Sequence, residues 1–285
     1  MKNEYLSIQI ADKGSELISI KDETTGFEYL WQADPEVWAR HAPILFPIVG
    51  KLKDNSLLVN GQRYPMSQHG FARDQFFQKV SETTDEVWYE LASNDETKAV
   101  YPFSFTLRLG YQLTNNTLTC LYEVTNNDSQ SMYFSIGAHP GFNLPTAELT
   151  DYTLIFEQAE TEERHLLSGG LFNGNRKKAL TTPTTIQLNT ALFNDDAIVF
   201  KNLQSNQFTL KQHNGTFKIR INYSGFPHMG IWAPKGNQQF ICLEPWCGHA
   251  DPVEGHDDVS RKEGIVKLEG GAQFNRSYAL TFGSQ

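Results

Sequence analysis

Two alternating stretches, Ser104–Thr114 (SFTLRLGYQLT) and Thr117–Thr125 (TLTCLYEVT), flank the dipeptide Asn115-Asn116. Successive side chains of a strand point to opposite faces, so alternation of this kind marks a ribbon with one apolar side. Asparagine tolerates positive φ, and a two-residue turn with positive φ matches the twist of paired strands. A long antiparallel hairpin satisfies both requirements. Asn60-Gly61 repeats the signal between Leu57–Val59 and Gln62–Met66, and Asn214-Gly215 repeats it between Gln207–His213 and Thr216–Tyr223. Ser15–Lys21 (SELISIK) and Glu86–Leu91 (EVWYEL) alternate as well. Each ribbon has to bury its apolar face against another, which predicts an all-β fold, a large antiparallel β-sandwich. The 19 phenylalanines and 11 tyrosines suit strands.

Little else competes with strands. Asp34–Arg40, with Pro35 in its first turn, reads as a short helix, and Asp95–Val100 reads as another before Pro102. Leu166–Thr185 carries Gly169-Gly170, Asn173-Gly174 and Lys177-Lys178, and reads as a long surface excursion. The β pattern resumes beyond it without a change in composition, so residues 1–285 are expected to form one domain. A net charge of −9 argues against a nucleic-acid partner, which needs clustered Lys and Arg. No apolar run reaches the ~18 residues of a membrane helix. The N-terminus turns polar by Asp12, so no leader and no membrane partner are expected. Three cysteines, Cys120, Cys242 and Cys247, are an odd set that suits a reducing cytoplasm. They read as small buried hydrophobes, since their spacing matches no zinc knuckle.

Four segments look out of place as plain sheet. They are Phe46–Asp54 with Lys51 and Lys53, Gln68–Arg73 with His69 and Arg73, Gly137–Phe142 around His139, and Phe240–Gly248 around Glu244. Glu244 follows four largely apolar residues, and Pro245 is expected to stop the sheet ladder there. A carboxylate delivered to a desolvated place has its pKa raised toward what a general base needs. A rim carboxylate paired with Lys or Arg is the competing reading. Trp246 beside it offers an apolar face to a sugar ring. His139 sits at a strand-to-loop corner between Gly137-Ala138 and Pro140-Gly141, which is expected to expose its imidazole. A histidine bonded to a loop carbonyl is the alternative. His69, Lys51 and Arg73 are equally open taken singly.

In this order the motifs Gly50-Lys51, His69-Gly70-Phe71-Ala72-Arg73, Gly137-Ala138-His139-Pro140-Gly141-Phe142 and Leu243-Glu244-Pro245-Trp246 resemble the aldose 1-epimerase (galactose mutarotase-like) superfamily, and within it the LacX branch. The similarity runs from about Leu6 to Phe282. It implies a β-supersandwich with a sugar site on the concave face of one sheet. It also implies Glu244 as general base, His139 as general acid and His69 as a second histidine on the sugar ring. Lys51 falls where better-known mutarotases carry a substrate-binding arginine, and a point charge replaces a planar fork there. For the sugar-binding aspartate that the resemblance implies, Asp195 or Asp196 is the nearest candidate, and Asp196 is the expected residue.

The substrate implied is a free hexose, with no metal and no cofactor. A hexose 6-phosphate, held by Lys51, Lys53 and Arg73, is one alternative; a sugar-binding protein that has lost catalysis is another. A glycoside hydrolase or lyase is less well supported, because Glu244 lacks a second carboxylate in a comparable motif. The acidic stretch His249–Asp258 reads as a solvated loop at the site rim, with Asp251 capping it or touching substrate, since neither a helical HExxH pattern nor a calcium-loop spacing is present. Monomer and homodimer are both compatible with the pattern.

Overall fold

A computed structural model describes residues 1–236, 238–255 and 258–283. The predicted long hairpin is its spine. Phe105–Thr114 pairs with Thr117–Asn126 without a slip from Phe105↔Asn126 to Thr114↔Thr117, and Asn115 turns the chain at φ +52°. Burial along Thr117–Asn126 alternates at every position, so one face is committed to the core.

This hairpin lies in a nine-stranded antiparallel sheet. Its strand order is Thr185–Gln187, Tyr152–Phe156, Gln207–Gln212, Lys218–Asn222, Gln273–Phe282, Thr117–Asn126, Phe105–Thr114, Glu86–Ala92, Gln78–Glu82. An eight-stranded sheet packs against it. Its path runs Leu171–Lys177, Arg164–Ser168, Ile198–Phe200, His228–Trp232, Phe240–Cys247, Ile136–Ala138, Ile44–Leu45, and Gly141–Asn143 also pairs with Phe240–Cys247. One apolar cluster draws on both sheets: Leu107, Val124, Phe208 and Leu280 from the first meet Ile198, Ile231, Ile241 and Leu243 from the second. The layered antiparallel β architecture is therefore as the alternation predicts.

The middle strands of the second sheet differ from the first sheet in being buried on both faces. All eight residues of Phe240–Cys247 are buried. Ile241, Leu243 and Cys247 enter the main core, whereas Phe240, Cys242 and Trp246 belong to two separate clusters on the opposite face. Period-two geometry puts Glu244 on that opposite face too.

Several local expectations need correction. Pro245 does not end the strand; it stands opposite Met229, and the ladder continues to Cys247. On the other side, Gly141–Asn143 pairs only with residues 240–242 and Ile136–Ala138 only with 246–247. Pro245 thus falls in the break between them, where a missing N–H costs no ladder bond. Leu166–Thr185 is no loose excursion, because Leu171–Lys177 pairs back on Arg164–Ser168. Gly169 and Gly170, at φ +57° and +83°, form its two-residue turn. Asp34–Arg40 makes a single turn, closed by Trp38 N–H donating to the Asp34 carbonyl at 2.8 Å. The chain then straightens as Trp31 Nε1–H donates to the Trp38 carbonyl at 2.8 Å and Arg40 reaches Asp74 at 3.0 Å. The Asn214-Gly215 hairpin forms, but its loop is wider than two residues, with Gln212 N–H bonding the Phe217 carbonyl. Asp95–Val100 is helical as expected, held by a reciprocal capping box between Asn94 and Thr97.

Candidate active site

The break beside Pro245 is also where the chemistry gathers. His139 occupies the gap between Ile136–Ala138 and Gly141–Asn143, and its Nε2 lies 3.3 Å from Glu244 Oε2. The His139 side chain is only 12% exposed, not the open corner the flanking glycines suggest. Trp38 stacks on the imidazole at 4.9 Å with 28° between the planes, and Trp232 meets it edge-on at 5.8 Å. The small residues around His139 make room for these indoles rather than for water.

Burial sets the electrostatics of the pair. Desolvation pushes Glu244 well above the usual carboxylate range, and the charge of Asp196 adds to this against a smaller opposing effect of Trp246. Desolvation also brings His139 down to about 3. Both groups are thereby driven toward their neutral forms, and the pair holds one proton between them.

His69 approaches from another element, its ring edge-on to His139 at 5.6 Å. Its Nδ1 accepts from the Gly50 N–H at 3.1 Å, which leaves the proton of the neutral ring on Nε2. Burial, followed by the charges of His139 and Arg73, holds His69 well below its ordinary value, so it stays a neutral donor. His69 itself adopts φ +67° and Gly70 φ +74°, and a Cβ on Gly70 would run into the Phe46 carbonyl. This tight crossing places the histidine.

Trp246 is carried on the same strand face as Glu244. Its indole lies across two glycines of the neighbouring strands: a Cβ on Gly137 would come within 2.5 Å of Trp246 Cδ1, and one on Gly230 within 2.5 Å of Cη2. The ring is therefore a flat floor that no neighbouring side chain lifts.

These groups line a cavity of about 340 Å³, within the size range of small-molecule sites. Glu244, His139, His69, Trp246, Arg73 and Asp196 all face it. Asp195 is instead spent on Arg164 and Lys177, each at 2.9 Å, which separates the two adjacent aspartates. Asp196 sits at φ +72° with Oδ1 accepting from the Ala197 N–H. Arg73 donates from Nη2 to the Gln68 carbonyl at 2.7 Å. Lys51 does not line the cavity; its Nζ holds the Gly169 carbonyl at 3.1 Å, tethering the turn whose Gly170 does. Four buried polar atoms around the cavity lack a hydrogen-bond partner: Glu244 Oε2, His139 Nδ1, Trp246 Nε1 and Arg73 Nε. Unpaired buried polar atoms are costly, and four on residues of one cavity single it out as a candidate site for a polar ligand.

Sequence reasoning missed Trp38, Trp232 and Gln68, all of which line the cavity. It also passed over Cys242, whose Sγ lies with His139 and Glu244 in a group of potential ligand atoms all within 4.8 Å of one another. The stretch His249–Asp258 is not simply solvated. His249 and Asp251 are buried, and Asp251 is occupied by Lys262 at 2.6 Å and by the Lys53 N–H at 3.0 Å. Asp251 braces the loop and does not face the cavity; His256 and Asp257 lie outside the described residues. Among the described residues no helix is long and apolar enough to cross a membrane.

Comparison with known proteins gives a consistent picture. The family model for aldose 1-epimerase matches residues 1–261. Protein LacX (plasmid) from Lactococcus lactis subsp. lactis is 33% identical, over 99% of this chain and 98% of its own. A galactose mutarotase related enzyme from Lactobacillus acidophilus superposes with TM-score 0.95 at 35% identity, covering 100% of this chain and 96% of that one. A galactose mutarotase-like protein from Lactobacillus casei does so with TM-score 0.93 at 32% identity, covering 99% and 98%.

Proposed function

The chain belongs to the aldose 1-epimerase family, and from that premise and the geometry of the cavity we propose that it interconverts the α and β anomers of a free hexose. The observation that carries this reading is the Glu244–His139 pair, 3.3 Å apart and nearly dry, at a cavity ringed by unpaired polar atoms.

Anomer exchange needs a base at the C1 hydroxyl and an acid at the ring oxygen. Glu244 takes the hydroxyl proton as His139 donates to the ring oxygen, and the C1–ring-oxygen bond breaks to give the aldehyde. Rotation about C1–C2 presents the other face of the carbonyl. Closure returns the proton from Glu244 to the new C1 hydroxyl, and the ring oxygen returns its proton to His139. One proton suffices for the pair throughout. Before opening it resides on His139 and after opening on Glu244; burial favours the second state, with the proton on Glu244. The sugar's hydroxyls supply the polar contacts that stabilise the charged form of the pair when substrate is bound.

The other residues hold the ring. His69 donates from Nε2, Asp196 accepts from a hydroxyl, and the Trp246 indole stacks under the apolar C–H face of the sugar. Arg73 offers its buried Nε. Lys51 acts at one remove by fixing the Gly169-Gly170 turn.

Glu244→Gln and His139→Asn should each lower catalysed mutarotation by about 10²–10⁴-fold, the usual worth of a general acid or base. Polarimetry is the assay, with circular dichroism to verify folding. Near-normal rates in either variant would refute the assignment.

A second reading has one specific observation behind it. Arg73 lines the cavity with no hydrogen bond at Nε, and Arg40 lies close enough for its charge to oppose that of Arg73, while Asp74, 3.0 Å from Arg40 and 3.9 Å from Arg73, offsets part of both. Such a cationic corner suits a phosphorylated hexose. A rate for glucose 6-phosphate well above that for glucose would favour it.

A further inference from the structure

Cys242 takes no part in the proton transfers described above, yet it stands beside them. It lies two residues before Glu244 on Phe240–Cys247, so both side chains emerge on the outer sheet face, and His139 meets them from the break in the neighbouring ladder. Imidazole nitrogen, thiol sulfur and carboxylate oxygen all lie within 4.8 Å of one another. In a tetrahedral zinc site, bonds of about 2.0–2.2 Å place nitrogen and oxygen ligands about 3.4 Å apart. His139 Nε2 and Glu244 Oε2 are already 3.3 Å apart. A zinc–sulfur bond of about 2.3 Å asks for sulfur at roughly 3.5 Å from each, so the thiol has at most 4.8 − 3.5 = 1.3 Å to close.

An independent observation points to a ligand at this place. Glu244 is 1% exposed, and beyond the 3.3 Å approach of His139 Nε2 its Oε2 makes no hydrogen bond. His139 and Glu244 also line the cavity, the side from which an ion would enter. A sulfur, nitrogen and oxygen set selects zinc-like ions over magnesium and calcium, which prefer oxygen alone.

We propose that His139, Cys242 and Glu244 form a binding site for a thiophilic divalent cation of the zinc class, whose occupancy excludes sugar. On binding, two protons leave to solvent, the Cys242 S–H proton and the one held by the Glu244–His139 pair, as the metal bonds form, and no electron changes hands. The ion takes the lone pairs of His139 Nε2 and Glu244 Oε2, the two atoms the proton transfers require. The metal site stands on geometry alone; its inhibitory effect rests on the anomer-exchange reading.

Cobalt(II) is the probe, because a thiolate bound to it gives a charge-transfer band in the near ultraviolet. One equivalent added to the full chain should produce the band, and one equivalent of zinc should abolish it. In Cys242→Ala, which keeps Cys120 and Cys247, the band should be absent and zinc affinity by calorimetry lower by about 100-fold or more, beyond the 10–100-fold typical of losing a supporting residue. Cys242→Ser, closer in volume, repeats the test should alanine disturb the fold. Absence of the band in the wild-type chain, or unchanged zinc affinity in both variants, would overturn the proposal. Failure of the anomer-exchange reading looks different: the band would persist while no sugar exchanged its anomers.

Discussion

Gly230→Ala isolates the device that keeps the cavity floor flat. Gly230 stands directly opposite Glu244 in the ladder, and the Trp246 indole lies over it. A Cβ there would sit 2.4 Å from Trp246 Cζ2, whereas ordinary contact begins near 3.4 Å, so the ring must give way by 3.4 − 2.4 = 1.0 Å. His228–Trp232 is an inner strand, hydrogen-bonded on both sides, and has little freedom to retreat. The indole therefore lifts into the cavity. Overpacking of this kind costs about 1–3 kcal/mol, and at roughly 2–4 °C per kcal/mol the melting temperature should fall by several degrees. A misplacement of ~1 Å beside the reacting atoms should lower kcat/KM by about 10–100-fold. Trp246→Phe removes the ring over Gly230, so adding Gly230→Ala in that background should cost little, a coupling of about 1–3 kcal/mol in a double-mutant cycle. Thermal unfolding and polarimetry on the four proteins suffice. Additive losses, or a Gly230→Ala variant with wild-type melting and rate, would refute the account of the floor.

Trp38 should behave as a positioning residue for His139: Trp38→Ala frees the imidazole and should lower kcat by about tenfold or more, whereas Trp38→Phe keeps the stacked face and should retain most of it, as measured by polarimetry. Stability should fall in mild acid, because burial lowers His228 from 6.5 to about 4 in the folded chain, among Lys201, Glu263, His165 and His249. Below pH 6.5 the unfolded chain takes up a proton that the folded chain refuses, so stability held at neutral pH is lost as pH falls toward 4. Between pH 7 and pH 5 this amounts to about 2 kcal/mol, from 1.4 kcal/mol for each of about 1.5 pH units. Urea unfolding of His228→Gln should show a correspondingly smaller acid loss, and an unchanged one would count against this origin.

How far these features could be read beforehand follows from whether they are local. The spine hairpin was legible because alternation and the Asn115-Asn116 turn lie within one short stretch, and its register followed without a slip. Glu244 and His139 were legible as odd polar residues among apolar, glycine and proline neighbours. Their mutual approach was not, since it depends on a ladder broken opposite Pro245 by a distant segment. Asp195 and Asp196 are adjacent, and only the remote Arg164 separates their roles. Trp38 was hidden because its stretch carries no period, and its partner His139 lies a hundred residues on. Gly137 and Gly230 act only through cross-strand neighbours. The hairpin within Leu166–Thr185 was misjudged for a different reason: Gly169-Gly170 is as good a two-residue turn as Asn-Gly, and loop composition masked it.

Exchange spectroscopy by NMR on equilibrated hexoses tests the central claim most directly, since it reads the two anomers interconverting without any coupled assay. Added wild-type protein should speed exchange between the α and β signals of at least one free hexose, while Glu244→Gln at the same concentration should not. Binding of that sugar with no change in its exchange rate would contradict the account and leave a sugar-binding protein in place of an epimerase.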